Sequence, residues 1–249
     1  MLAVAAFGLY KHFGPKVAVS GLDLQVPEGS FYGMVGPNGA GKTTTIRMLV
    51  GLLRPDGGTA TVAGIPVWPE TRPVKRVIGV LPDDLRLFER LSGAELLTYL
   101  GLMRKMDRAE VDRRRDELLG VLGLADDAGL MVADYSTGMR KKIALAAALL
   151  HAPRVLFLDE PFESVDPVSA RTITDVLTTF RSRGGTVVFS SHAMDTVERL
   201  CDHVAIVAAG RVVAAGTLEQ VSGGRRLEDV FIEAVGGQAA GPGTLDWLR

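Results

Sequence analysis

Apolar residues along the chain fall into short runs separated by polar and glycine-rich breaks. Runs of strand length cover Val17 to Val26, Phe31 to Val35, Val77 to Leu81, Val155 to Leu158, Thr186 to Ser190 and Val204 to Val207, and they alternate with helix-like segments. That alternation predicts a mostly parallel sheet covered by helices. Met1 to Tyr10 also reads as a buried strand. No basic residue precedes it, and it runs into Lys11 without a small-residue cleavage site, so it does not read as a signal peptide. Between Leu81 and Val155 the alternation stops and only helices are offered. One is opened by Ser92 with Glu95 three residues on, one by Asp107 with Glu110 three on, and one by Ser136. Such side chains accept hydrogen bonds from the free N–H groups of a first helical turn, so the pattern predicts an all-helical insertion of roughly 60 residues in an α/β core. From about Gly223 a short joint precedes a helical stretch, Leu227 to Val235, followed by a Gly-rich tail over 236–249.

Composition narrows the class. A chain of 249 residues with 47% hydrophobic and 23% charged residues can bury a sizeable core. Its 28 Lys and Arg against 29 Asp and Glu leave a net charge of -1, so no broad basic surface for nucleic acid is expected. Locally, Arg113-Arg114-Arg115 is embedded among Asp112, Asp116 and Glu117 and reads as a solvated helix face. Arg140-Lys141-Lys142 reads either as an exposed face or as help for a phosphate held opposite. The one cysteine, Cys201, and the scattered His12, His151, His192 and His203 offer neither an internal disulfide nor a structural zinc framework, which fits a reducing cytoplasm. Mean hydropathy is +0.21. Yet the longest apolar runs, Ile143 to Leu150 and Val204 to Ala209, fall far short of the ~20 residues that span a bilayer.

The chemistry begins at Gly36-Pro37-Asn38-Gly39-Ala40-Gly41-Lys42-Thr43, which follows the strand Phe31 to Val35 and precedes a helical run, Thr44 to Gly51. Glycines let successive N–H groups turn inward as an anion nest, and the following helix adds its positive end. In such a phosphate loop, the Walker A motif, Lys42 reaches the β- and γ-phosphates and the Thr43 hydroxyl binds Mg²⁺. Further on, Val155-Leu156-Phe157-Leu158-Asp159-Glu160 is a buried strand ending in two carboxylates. Asp159 is placed to hold the magnesium shell and Glu160 to face the γ-phosphate and orient a water, so the pair suggests hydrolysis. The only asparagine, Asn38, is followed by Gly39, which excludes guanine reading through an Asn-Lys-x-Asp motif. The His-Arg-Asp and Asp-Phe-Gly strings of protein kinases and a Gly-x-Ser-x-Gly elbow are absent as well.

Over roughly residues 1 to 235 the chain resembles the ATP-binding subunit of ABC transporters. Tyr135-Ser136-Thr137-Gly138-Met139 stands where that family has its Leu-Ser-Gly-Gly-Gln signature. Glu163-Ser164-Val165-Asp166 stands as its D-loop and Ser190-Ser191-His192 as its switch histidine; Phe13 would be the aromatic that stacks on adenine. The resemblance implies a phosphate-loop core whose mostly parallel sheet is joined by an antiparallel β portion, with the helical subdomain inserted at about 84–150. It also implies two subunits closing face to face, Ser136 and Gly138 of one meeting the γ-phosphate held by the other. His192 would touch the same phosphate and Glu160 would activate the water. The nucleotide-binding set is then Phe13, Gly36 through Thr44 (Gly36, Pro37, Asn38, Gly39, Ala40, Gly41, Lys42, Thr43, Thr44), Ser136, Gly138 and Asp166. Glu160 and His192 are the catalytic pair, and Thr43, Asp83 and Asp159 the magnesium ligands. The implied ligands are ATP and Mg²⁺, and the implied partners a second ATP-binding subunit and a membrane-spanning permease, the chain lying peripherally at the cytoplasmic face of the cell membrane.

Three features depart from the family pattern. Leu81-Pro82-Asp83 has an aspartate where glutamine is usual, and Thr137 and Met139 replace a glycine and a glutamine of the signature. Together with the ending Leu227-Glu228-Asp229-Val230-Phe231, these resemble the subfamily that powers ABC-2 type exporters. Two other functions stay open on the residues alone: a soluble ABC-type ATPase acting on nucleic acid or ribosomes, and a nonhydrolytic ATP-binding regulatory subunit. The single phosphate loop and short insertion weigh against the first, and Glu160 with His192 against the second.

Overall fold

A computed structural model of the chain describes residues 1–236, so most of the tail over 236–249 lies outside the described residues. The chain opens with β1 (Leu2–Phe13), β2 (Lys16–Pro27), β3 (Phe31–Val35), α1 (Lys42–Leu49), β4 (Gly57–Val62), β5 (Ile65–Pro66), α2 (Arg72–Val77) and β6 (Ile78–Leu81). The helices α3 (Gly93–Met103), α4 (Arg108–Val121) and α5 (Thr137–Leu149) follow without a strand between them. The chain then returns to alternation through β7 (Val155–Asp159), α6 (Pro167–Ser182), β8 (Thr186–Ser191), α7 (Met194–Leu200), β9 (His203–Ala208), β10 (Arg211–Thr217), α8 (Leu218–Ser222) and α9 (Leu227–Ala234).

Two sheets form. The larger has strand order β10-β9-β3-β8-β7-β6. It is parallel except where β10 returns antiparallel to β9. The smaller is antiparallel, in the order β2-β1-β4-β5. Every residue of β3, β7 and β8 is buried. Successive side chains of a strand point to opposite faces, and here they divide between two cores. Phe31, Val35, Leu156, Leu158, Val187 and Phe189 join α3, α5 and α6 on one face. Tyr32, Met34, Phe157, Val188 and Val207 join α1 and the antiparallel sheet on the other. This two-sided burial is why these strands read as continuous apolar runs in the sequence.

The helix starts follow their caps. Ser92 and Glu95 close a reciprocal capping box, Asp107 accepts from the N–H groups of Ala109 and Glu110, and Ser136 accepts from Met139. Differences from the sequence reading are local. Val77 closes α2 instead of opening a strand. The strands β4, β5 and β10 and the short α2 and α8 carried no usable pattern: β4 begins Gly57-Gly58 and is half exposed, and β10 is a sheet edge with no fully buried residue. Arg113, Arg114 and Arg115 are paired with Glu110, Asp112, Asp116 and Glu117 along α4.

Candidate nucleotide site

Strand register brings the site together. Val35, the last residue of β3, lies opposite Ser191 of β8, and Asp159, the last of β7, lies opposite Ser190. Three loops therefore leave the sheet at one level, at the carboxyl ends of parallel strands, where ligand sites of open α/β sheets gather. Leu81 of β6 pairs with Leu158, so the segment carrying Asp83 emerges beside them.

The loop from Gly36 to Gly41 is held by close approach. A Cβ at Gly36 would lie 2.3 Å from the Val207 carbonyl, and Gly41, at φ 107°, has the Ala18 carbonyl 2.6 Å from the place of its missing Cβ. Gly41 is also the N-cap residue of α1 and has no side chain to offer, so the first N–H groups of that helix are left for a ligand. Lys42 folds back across the loop, donating to the Gly36 carbonyl at 2.6 Å. Burial lowers its ammonium below the usual range, and the charges of Glu160 and Asp159 oppose that shift. Thr43 Oγ1 donates to Asp159 Oδ1 at 3.2 Å, and Ser190 Oγ donates to the same oxygen at 2.5 Å.

Glu160 is bound on every side. Its N–H donates to Ser190 Oγ at 3.0 Å, its Oε1 lies 3.8 Å from Lys42 Nζ, and its Oε2 lies 3.1 Å from His192 Nδ1. Its φ of 47° is left-handed, an uncommon conformation for a residue with a side chain. A cleft of about 480 Å³ gathers Phe13, Lys16, the loop from Pro37 to Thr44, Asp83, Glu160, Glu163 and His192. Phe13 stands half exposed at its edge, with Lys11 Nζ 5.7 Å from the centre of its ring.

Three residues singled out in the sequence lie elsewhere. Ser136, Gly138 and Asp166 do not line this cleft. Ser136 is exposed and caps α5; Asp166 caps α6 by accepting from Val168 and Ser169. Gly138 is wedged between them, its absent Cβ 2.7 Å from Asp166 Oδ2 and 2.6 Å from Ser169 Oγ. The exposed reading of Arg140-Lys141-Lys142 needs correction at its centre. Lys141 is 5% exposed and donates to the Glu160 carbonyl at 2.9 Å. A sequence signal for this existed: Gly138, Lys141, Leu145 and Ala148 recur at helical spacing, and all four are buried. Ser190 was noted only as a strand end, and its bridge between Asp159 and Glu160 has no sequence signature.

A phosphate-loop ATPase of the α/β class is defined by this sheet, loop and carboxylate pair. The ABC transporter family profile matches residues 19–163, and the chain belongs to that family as an ATP-binding subunit. It is 41% identical over 215 residues to the daunorubicin/doxorubicin resistance ATP-binding protein DrrA of Streptomyces peucetius, covering 86% of this chain and 65% of that one. It is 37% identical over 212 residues to the linearmycin resistance ATP-binding protein LnrL of Bacillus subtilis, covering 85% and 68%. It is 39% identical over 207 residues to the Nod factor export ATP-binding protein I of Cupriavidus pinatubonensis, covering 83% and 63%. The chain thus spans about two thirds of the length of these curated relatives. Among solved structures, an ATP-binding subunit of an ABC transporter superposes with a TM-score of 0.87 at 27% identity, over 94% of this chain and 99% of that one.

Proposed function

We propose that the chain hydrolyses MgATP as one of two facing ATP-binding subunits and thereby powers export of small molecules through a separate membrane-spanning subunit. The observation that carries this reading is Glu160, whose carboxylate stands in the cleft between the buried Lys42 and the exposed His192.

In this mechanism the loop N–H groups from Gly36 to Thr44 and the Lys42 ammonium cradle the phosphates, and the half-exposed ring of Phe13 stacks on the base. Glu160 orients the attacking water and accepts its proton, while His192 orients that carboxylate and reaches toward the γ-phosphate. Thr43 Oγ1 and Asp159 Oδ1, 3.2 Å apart, are a hydroxyl and a carboxylate of the kind Mg²⁺ takes together with substrate phosphates. Asp83, lining the same cleft, would be a further residue to help hold the ion. Thr43 and Asp159 would hold the ion, which when bound would neutralise charge on the phosphates. Ser136 and Gly138 lie away from the cleft of their own chain, so a facing copy would have to present them to the γ-phosphate.

Export is supported by what the relatives are named for, drug resistance, linearmycin resistance and Nod factor export. No helix among the described residues is long and apolar enough to cross a membrane. In the proposed reading the path belongs to a partner at whose cytoplasmic face the chain works. The test is gentle purification of the tagged chain from native membranes in ATP, with its companions identified by mass spectrometry. A stoichiometric multi-span protein is the expected companion. Recovery alone, or with ribosomes or nucleic acid, overturns the reading.

A further inference from the structure

Lys141 is an expensive residue to keep where it is. Its ammonium is buried between α5 and the segment that follows β7. Burial lowers its proton affinity, while Asp83, Glu163, Asp159 and Glu160 act on it in the opposite sense. Among the described residues no carboxylate lies within 4.0 Å of it, and its hydrogen bond goes to the Glu160 carbonyl at 2.9 Å. Packing alone would be served at lower cost by a methionine or leucine, because a buried ammonium gives up its hydration and an apolar side chain does not. The position therefore calls for a reason other than stability.

The reason lies in what the carbonyl belongs to. Glu160 has φ 47° and Ser164 φ 56°, so the backbone from 160 to 164 carries two side-chain-bearing residues in the left-handed region. Such conformations are strained and persist only where surrounding contacts over-determine them. Two groups brace the peptides on either side of Glu160: Ser190 Oγ accepts from its N–H at 3.0 Å, and Lys141 Nζ donates to its carbonyl. The same carbonyl also receives the Glu163 N–H at 3.3 Å, a longer and uncharged contact. The charged donor is the stronger of the two, since hydrogen bonds to an ionised group are roughly twice as strong as neutral ones. It also arrives from the helix that Ser136 opens, five residues on, and so ties that helix to the carboxylate that works on the water.

We infer that Lys141 is a positioning residue for hydrolysis, holding the Glu160 backbone so that its carboxylate stays aimed into the cleft, and setting the rate of the chemical step with little part in nucleotide affinity. This rests on the reading of Glu160 as the water-activating base.

The test compares Lys141→Met and Lys141→Gln in the full chain, each alone and in a Glu160→Gln background, by steady-state hydrolysis, MgATP binding and thermal unfolding. Lys141→Met is expected to lower kcat by about tenfold, equivalent to about 1.4 kcal/mol of barrier. KM and Kd for MgATP should stay within about twofold, and Tm should not fall. Lys141→Gln keeps a donor and loses the charge, and its kcat should lie between wild type and Lys141→Met. Both effects should vanish in the Glu160→Gln background, because residues acting through one group are not additive. Wild-type kcat in either folded variant overturns the proposal. So does a loss of MgATP affinity or Tm matching the loss of rate, which is what a merely structural lysine predicts; Lys141→Gln decides if Lys141→Met does not fold. Wild-type turnover in Glu160→Gln itself would remove the underlying reading, whereas a slow Glu160→Gln beside a fast Lys141→Met removes this inference alone.

Discussion

Glu160 gathers the contacts of the candidate site in one residue. It is strained in its backbone and bonded at N–H, carbonyl and carboxylate, and the carboxylate touches a buried cation and an exposed imidazole. Replacing it by the isosteric amide keeps its size and removes the proposed proton acceptor. Glu160→Gln is therefore expected to bind MgATP like wild type and to release phosphate at less than about a hundredth of the wild-type rate, the usual size of a general-base effect. Nucleotide binding and phosphate release measured on the same preparation check this. Lys42 is proposed to act on affinity instead. Its ammonium lies across the mouth of the phosphate loop, donating to the Gly36 carbonyl. Lys42→Ala should raise the Kd for MgATP by at least about tenfold, or about 1.4 kcal/mol, and a calorimetric titration matching wild type would refute the assignment. Gly36 to Thr43, Asp159 and Glu160 could be picked out by reading alone because each belongs to a short contiguous motif whose spacing is its chemistry, whereas His192 was named only through the resemblance to the family. Lys141 could not be separated from its charged neighbours Arg140 and Lys142 until its face of α5 was known.

At the scale of elements, parallel strand register does what no single motif can. The pairings Val35 with Ser191 and Asp159 with Ser190 set three loops at one height. The junction of α5 with β6 adds a pH dependence. His151, just past the end of α5, donates from Nε2 to the Ile78 carbonyl at 2.8 Å, and its buried Nδ1 has no partner among the described residues. Burial, with Arg104 and Arg114 nearby, pushes its pKa down to about 4 from an unfolded value of 6.5. Between those values the unfolded chain binds a proton that the folded chain does not. Stability from this group is thus complete above about pH 6.5 and is lost as pH falls toward about 4. The loss should reach about 2 kcal/mol between about pH 7.5 and about pH 5. Urea unfolding at the two pH values checks it, with His151→Gln expected to flatten the difference.

For the whole molecule, the cleft and the start of α5 are separate surfaces of one chain. On the proposed mechanism, a complete site takes a facing partner whose Ser136 and Gly138 approach the phosphates. With turnover blocked, Glu160→Gln in saturating MgATP should run at twice the monomer mass by light scattering, while the same protein without nucleotide should run as a monomer. A monomer under both conditions counts against two facing subunits.

Local patterns carried a large part of this protein. The phosphate loop, the strand ending in Asp159 and Glu160, the capped starts of α3, α4 and α5, and the buried parallel strands are all properties of a few adjacent residues. Steric freedom at glycine, free N–H groups at a helix start and burial on both faces of a strand act within that span. The remainder depended on approach between distant segments. Only the assembled fold placed Ala18 against Gly41 and Ser190 between Asp159 and Glu160. It also turned one lysine of a charged run inward to the Glu160 carbonyl and gave edge strands such as β10 their partners. Hydrogen-bond geometry and burial are relations between segments brought together by packing, and a linear reading of one segment holds neither.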